Sequence, residues 1–155
     1  MKTQNGFSLV ELMIVVVVMG ILMAIALPYY GDYVIRGTIP DATSSLSSTR
    51  VQMEQYFQDN RTYVAAPGCA VAGVVDTSIV SQYFDFSCSV AGTATNFTLQ
   101  AVGKGSMAGF TYTINESGNK TTSIVAPAPA SWRATSPVAP ATTGGCWITN
   151  TAGTC

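Results

Sequence analysis

Gly6-Phe7-Ser8-Leu9-Val10-Glu11-Leu12 opens an apolar run that reaches Tyr30. Between Phe7 and Tyr30 the only carboxylate is Glu11, and there is no basic residue. Coiled into a helix, the run is about 36 Å long at ~1.5 Å per residue, enough to cross a hydrocarbon core of roughly 30 Å. An acidic residue at mid-membrane costs roughly 2.5–3.5 kcal/mol on insertion scales. Glu11 lies near one end of the run, where the cost is smaller, but it still calls for a partner.

The stretch GFSLVEL resembles the type IV prepilin signature. In that family a short basic leader is removed after the glycine by a dedicated prepilin peptidase. The new N-terminal residue, usually phenylalanine, is N-methylated, and the glutamate four residues on is needed for assembly. The resemblance implies cleavage between Gly6 and Phe7, methylation of Phe7, and Glu11 as the assembly carboxylate. A cationic amine on Phe7 of one subunit would then neutralise Glu11 of a neighbour in an apolar fibre core. Two unit charges ~4 Å apart attract by roughly 4 kcal/mol at an effective dielectric of 20. Two plainer readings compete. One is an ordinary membrane anchor. The other is a secretory signal, with Lys2 as its basic region, Leu12–Met23 as its apolar core and Ala24-Ile25-Ala26 as its cleavage site. Glu11, placed inside the apolar start, argues against the second.

The 155 residues suit one modest domain behind this segment. Lys and Arg number 7 against 8 Asp and Glu, and loss of Lys2 with the leader makes the balance more acidic. Arg36, Arg50, Arg61, Lys104, Lys120 and Arg133 are scattered, which is not the clustered cationic footprint of a nucleic-acid binder. The 4 cysteines are an even number in a chain that reads as exported, which favours disulfides. Three connectivities exist, and local order favours Cys69–Cys88 with Cys146–Cys155. A zinc site has no histidine and no C-x-x-C pair to draw on, and no metal or other cofactor is expected.

Gly20 and Pro28 are weak points in the first helix. Within the resembled family, the segment between such a glycine and proline can lose helical order in the filament; here that is Gly20–Pro28, with a simple proline kink as the alternative. Tyr29, Tyr30 and Tyr33 form an aromatic cluster suited to a membrane edge. Gly37 and Pro40 read as a second interruption. Ile35, Ile39, Ala42, Leu46, Thr49, Met53 and Tyr56/Phe57 then recur every three or four residues, the mark of an amphipathic helix ending near Asp59-Asn60. Residues 61–82 carry Pro67, Gly68 and Gly73 without a clean period and read as a long loop. Tyr83–Val90, Asn96–Val102, Gly109–Ile114 and Thr121–Val125 alternate with period two and are joined by turns. Residues 126–145 are rich in Pro, Ala, Ser and Thr and read as extended or irregular, anchored by Trp132. Cys146-Trp147-Ile148-Thr149 reads as a last strand-like piece.

These elements predict an α+β pilin fold: a long N-terminal helix, half membrane-spanning and half amphipathic, packed on a four-stranded antiparallel sheet. The expected divisions are leader 1–6, transmembrane and assembly helix 7–30, amphipathic helix 31–60, αβ loop 61–82, sheet 83–125 and a Pro-rich, disulfide-tied region 126–155. Gln52 to Tyr63 and Lys104 to Tyr112 look like the PilE-like minor pilins, and two cysteine pairs favour a minor subunit over the major one.

The resemblance implies a subunit held in the inner membrane and polymerised into a surface fibre for adhesion, twitching motility or DNA uptake. Its partners would be other pilin subunits, the prepilin peptidase and the pilus assembly platform. DNA binding draws no support from the scattered basic charge. The alternative is a pseudopilin of a type II secretion system; the major kind carries an Asp-rich calcium loop near the C-terminus, and this chain has no Asp after Asp85. A secreted enzyme is disfavoured, because no histidine, G-x-S-x-G, phosphate-binding loop or acidic metal cluster occurs. Glu54 with Asp59 and Asp85 with Glu116 are conceivable carboxylate pairs, better read as solvated surface. Sequons at Asn60, Asn96, Asn115 and Asn119 are expected by chance in so Asn- and Thr-rich a chain. Ser136, Thr142 and Thr143 are better candidates for O-linked sugar.

Overall fold

The computed structural model describes residues 7–133 and 145–155. Helix α1 (Leu9–Asn60) is followed by strands β1 (Phe84–Val90), β2 (Thr98–Gly103), β3 (Phe110–Asn115) and β4 (Lys120–Ile124), then by the one-turn helix α2 (Ala130–Arg133). The chain divides into two compact units, Met1–Val34 and Ile35–Cys155. The expected leader 1–6 and the candidate sugar acceptors Ser136, Thr142 and Thr143 lie outside the described residues.

In the first unit, side chains from Phe7 to Ala26 are all exposed. Leu9–Ala26 has a mean hydropathy of 2.8, apolar and long enough to cross a membrane. Helical hydrogen bonding satisfies the backbone along this stretch, which a hydrocarbon environment demands. The helix continues through Gly20 and Pro28 in the isolated chain.

The interruption expected at Gly37 and Pro40 does not occur; α1 runs through both. A mid-helix proline removes one donor and costs about 3 kcal/mol. Pro40 is exposed, whereas Ile39 and Ala42 beside it are 1% and 0% exposed. Burial of that stripe offsets the missing bond. Ile35, Ile39, Ala42, Leu46, Thr49 and Met53 are all buried, as their spacing predicts, with Tyr56 and Phe57 packed against the core. The helix stops at Arg61, whose positive φ of 57° gives the left-handed turn that commonly closes a helix.

The sheet is antiparallel in the order β1-β2-β3-β4, so each strand pairs with its sequence neighbour. Phe84, Phe86, Cys88, Leu99, Ala101, Phe110, Tyr112, Ile114 and Ile124 supply buried side chains, in the period-two pattern that one covered face requires. Phe84 meets Tyr112 edge to face at 6.0 Å, and Phe57 stacks on Tyr63 at 4.6 Å. Loop 61–82 has only isolated bridges, Ala72 to Cys88 and Val75 to Ser87.

Two readings of the C-terminal region are corrected. Residues 130–133, expected to be irregular, form α2, which buries Trp132 at 0% exposure against Phe110. Residues 146–149 do not form a strand. Ile148 N–H donates instead to the Thr122 hydroxyl at 3.0 Å, and the Trp147 indole to Thr113 O at 2.9 Å. Side-chain partners have taken the place of a ladder.

Candidate assembly site

Ser8 precedes the first helical residue, and its hydroxyl accepts the Glu11 N–H at 3.2 Å. This is the N-cap half of the S-x-x-E capping box, which satisfies a helix-start donor that would otherwise be orphaned. Glu11 thus sits in the first turn of α1 with its side chain exposed. A carboxylate there is favoured by the positive end of the helix dipole, by about 0.3–1 kcal/mol at exposed sites. Phe7, 79% exposed, lies just outside the helix, two residues before Leu9. Gly6 lies outside the described residues. Gly20 faces open space, with no atom within 4 Å of where a Cβ would stand.

Sequence reasoning missed the capping role of Ser8, although its signal was visible as Ser8 and Glu11 three apart before an apolar run.

In the second unit, disulfides join Cys69 to Cys88 and Cys146 to Cys155, with Cα–Cα separations of 5.2 and 5.6 Å. The first ties the loop after α1 to β1, and the second closes the chain end on itself. Neither imagined carboxylate pair is the dominant contact of its members. Glu54 receives the Tyr63 hydroxyl at 3.2 Å and lies 3.8 Å from Arg50, while Asp85 binds Lys104 at 2.6 Å. Glu116 accepts the Phe97 N–H at 3.4 Å, and its backbone carbonyl receives Arg50 at 2.9 Å. Arg50, Glu54, Tyr63 and Glu116 therefore fasten α1 to the β3–β4 turn and to the start of β2. Burial first, then the Glu54 charge and hydrogen bond, hold the Tyr63 phenol above its ordinary pKa. Among the described residues, no group of three His, Cys, Asp or Glu could hold a metal ion.

The family model described as type IV minor pilin ComP, DNA uptake sequence receptor, matches residues 28–119. The model of the prokaryotic N-terminal methylation motif matches residues 1–27. The chain is 36% identical over 103 residues to the fimbrial protein EcpC of Eikenella corrodens, covering 66% of this chain and 65% of EcpC. It is 42% identical over 66 residues to a fimbrial protein of Pseudomonas aeruginosa, covering 43% of each. The chain thus spans between 43% and 65% of the length of these two curated relatives. In fold it is similar to the non-core minor pilin PilV of Neisseria meningitidis, at a TM-score of 0.51 and 18% identity, over 63% of this chain and 94% of that one. With a minor-pilin model covering more than half of its length and a methylation-motif model covering its start, the chain belongs to the type IV pilin family.

Proposed function

We propose that this chain is a minor structural subunit of a type IV pilus. It is made with a leader that the prepilin peptidase removes between Gly6 and Phe7, and Phe7 is methylated on its new amine. The processed subunit waits in the inner membrane, held by its apolar helix. The assembly platform then moves it into an extracellular fibre beside other pilins. One observation carries this reading: an exposed apolar helix with a single carboxylate, Glu11, in its first turn. The helix dipole eases the burial of that charge only in part. The cationic Phe7 amine of a neighbouring subunit supplies the rest and sets the axial register. No catalytic role is assigned to any residue.

The test has two arms. Intact mass should place the mature start at Phe7 with one added methyl; a start at Leu27 would support the secretory-signal reading instead. Glu11→Ala should be processed and inserted normally yet be depleted in sheared fibres relative to the membrane fraction. Glu11→Gln, which keeps the shape without the charge, should behave like Glu11→Ala. Wild-type fibre content in Glu11→Ala would sink the pairing mechanism and leave the run as an anchor.

A second reading, DNA capture by the fibre, is favoured by the description of the family model that matches residues 28–119. Its electrostatic support is thin. The net charge is −1, and Lys104 and Arg50 already face Asp85 and Glu54. Arg36, Arg61, Lys120 and Arg133 are the cations of the processed chain left to contact phosphate. Lys120 stands 4.5 Å from the Trp147 ring centre, but that ring is only 8% exposed and offers a base no face to stack on. Retardation of duplex DNA by the protein, with a salt slope that falls in Lys120→Ala, would support this role. A slope unchanged by the loss of all four cations would end it.

A further inference from the structure

The two disulfides occupy opposite environments. Cys69 and Cys88 are both 0% exposed, sealed between β1 and the loop before it. Cys146 is half-buried and Cys155 is exposed at the chain end. Thiol–disulfide exchange needs a thiolate to reach one sulfur along the S–S axis, so access controls which bridge reacts first, and exposed bridges are the labile ones. We propose that Cys146–Cys155 is a redox-sensitive latch on the C-terminal loop, opened by a dithiol reductant while Cys69–Cys88 stays closed.

In the exchange, one thiolate of the dithiol attacks Cys155 Sγ. The Cys146–Cys155 bond breaks, and Cys146 leaves as a thiolate. The second thiol of the reductant then attacks the mixed disulfide and releases Cys155. The reductant ends as a disulfide, two electrons pass to the protein, and its two protons end on the cysteines.

What opens is local. Between Cys146 and Cys155, Thr149 N–H bonds to Thr154 O at 3.3 Å and Gly153 N–H to Asn150 O at 3.2 Å. Arg36 donates to the Thr151 hydroxyl at 3.1 Å. The Asn150 carboxamide adds bonds from the Ala152 N–H at 2.9 Å and the Thr154 N–H at 3.3 Å, so every bond of this loop is short-range or exposed. Trp147 and Ile148 have other anchors, at Thr113 and Thr122 on the sheet, and are only 8% and 6% exposed. Reduction therefore frees residues 149–155 and releases Arg36, without unseating Trp147. Reduction of Cys69–Cys88 would instead require the loop to lift from β1.

The experiment uses the full-length protein in detergent micelles, titrated with dithiothreitol and trapped with iodoacetamide for peptide mapping. Cys146 and Cys155 should label at a reductant concentration at least about tenfold below that for Cys69 and Cys88. Amide exchange at Thr149 and Gly153 should accelerate in that first step, with the near-UV signal of Trp147 retained. Labelling of all four cysteines together, or of Cys69 and Cys88 first, would overturn the proposal. So would loss of the near-UV signal in the first step. The double variant Cys146→Ser/Cys155→Ser should lack the first step and leave the Cys69–Cys88 threshold in place; a markedly lowered threshold would show that the bridges are not independent and overturn the latch.

Discussion

The Ser8 hydroxyl accepts the backbone N–H of Glu11, so the helix start and the one carboxylate of the apolar run are fixed by the same hydrogen bond. Ser8→Ala should cost about 1 kcal/mol of local stability at the start of α1, while Ser8→Asp or Ser8→Thr keeps most of it. Amide exchange at Leu9 to Glu11 in micelles reads this directly. Faster exchange confined to the first turn is expected, with the second unit unchanged.

Gly109 should not tolerate a side chain. Its φ is +94°, and a Cβ would stand 2.3 Å from Val125 O and 2.7 Å from Ala128 N. Both neighbours are backbone, so neither can swing aside. Gly109→Ala should cost roughly 1–3 kcal/mol from backbone strain alone, with the clash adding to it. Urea unfolding of the second unit would register a lower midpoint with an unchanged slope.

Trp132→Ala should be among the most damaging core changes. The ring is fully buried and meets Phe110 at 5.5 Å, edge to face. Truncation of a buried tryptophan costs about 3–5 kcal/mol. Trp132→Phe, which fills part of the space, should recover more than half of that loss in thermal or urea unfolding.

Alkaline pH should destabilise the second unit ahead of any general charge repulsion. Burial pushes the Tyr112 phenol well above its ordinary value of 10.0, and its hydroxyl donates to Ile148 O at 3.4 Å. The folded protein keeps this proton where the unfolded chain loses it. The stabilisation is therefore complete below about pH 10 and declines as pH rises beyond it. Tyr63, also raised, adds to the same slope. Urea midpoints measured from about pH 9 to pH 11 should fall less steeply in Tyr112→Phe than in wild type.

Much of this architecture could be read from residue spacing. The stripe from Ile35 to Met53 keeps its helical period across 19 positions, and each of its members is buried. β2 and β3 alternate in burial because one face of the sheet is covered, whereas in β1 the loop bridging at Val75 also buries Ser87. Spacing misleads where a local signal meets a stronger opposing force. Pro40 signals a break, but the buried residues on either side outweigh one lost donor. Cys146 to Thr149 has strand-like composition, yet Thr113 and Thr122 satisfy it from the side. The α2 turn hides among prolines because four residues are too few to show a period. At the N-terminal end, Gly6, Phe7 and Glu11 are legible only through their resemblance to the prepilin signature, while the helix-capping part played by Ser8 lies inside it unread.

The nearest-neighbour order of the sheet sets a sequence of events. Every pairing joins strands separated by one short connection, so loop-closure entropy is small and the sheet has the local topology associated with fast folding. As the chain emerges N-terminus first, Cys69 and Cys88 are both present, and β1 can zip onto β2, before Cys146 arrives. The buried pair is therefore committed while its rivals are still absent. When the last two cysteines appear, they find only each other. Sequential emergence thus favours the two local pairs, Cys69–Cys88 and Cys146–Cys155, over the crossed ones.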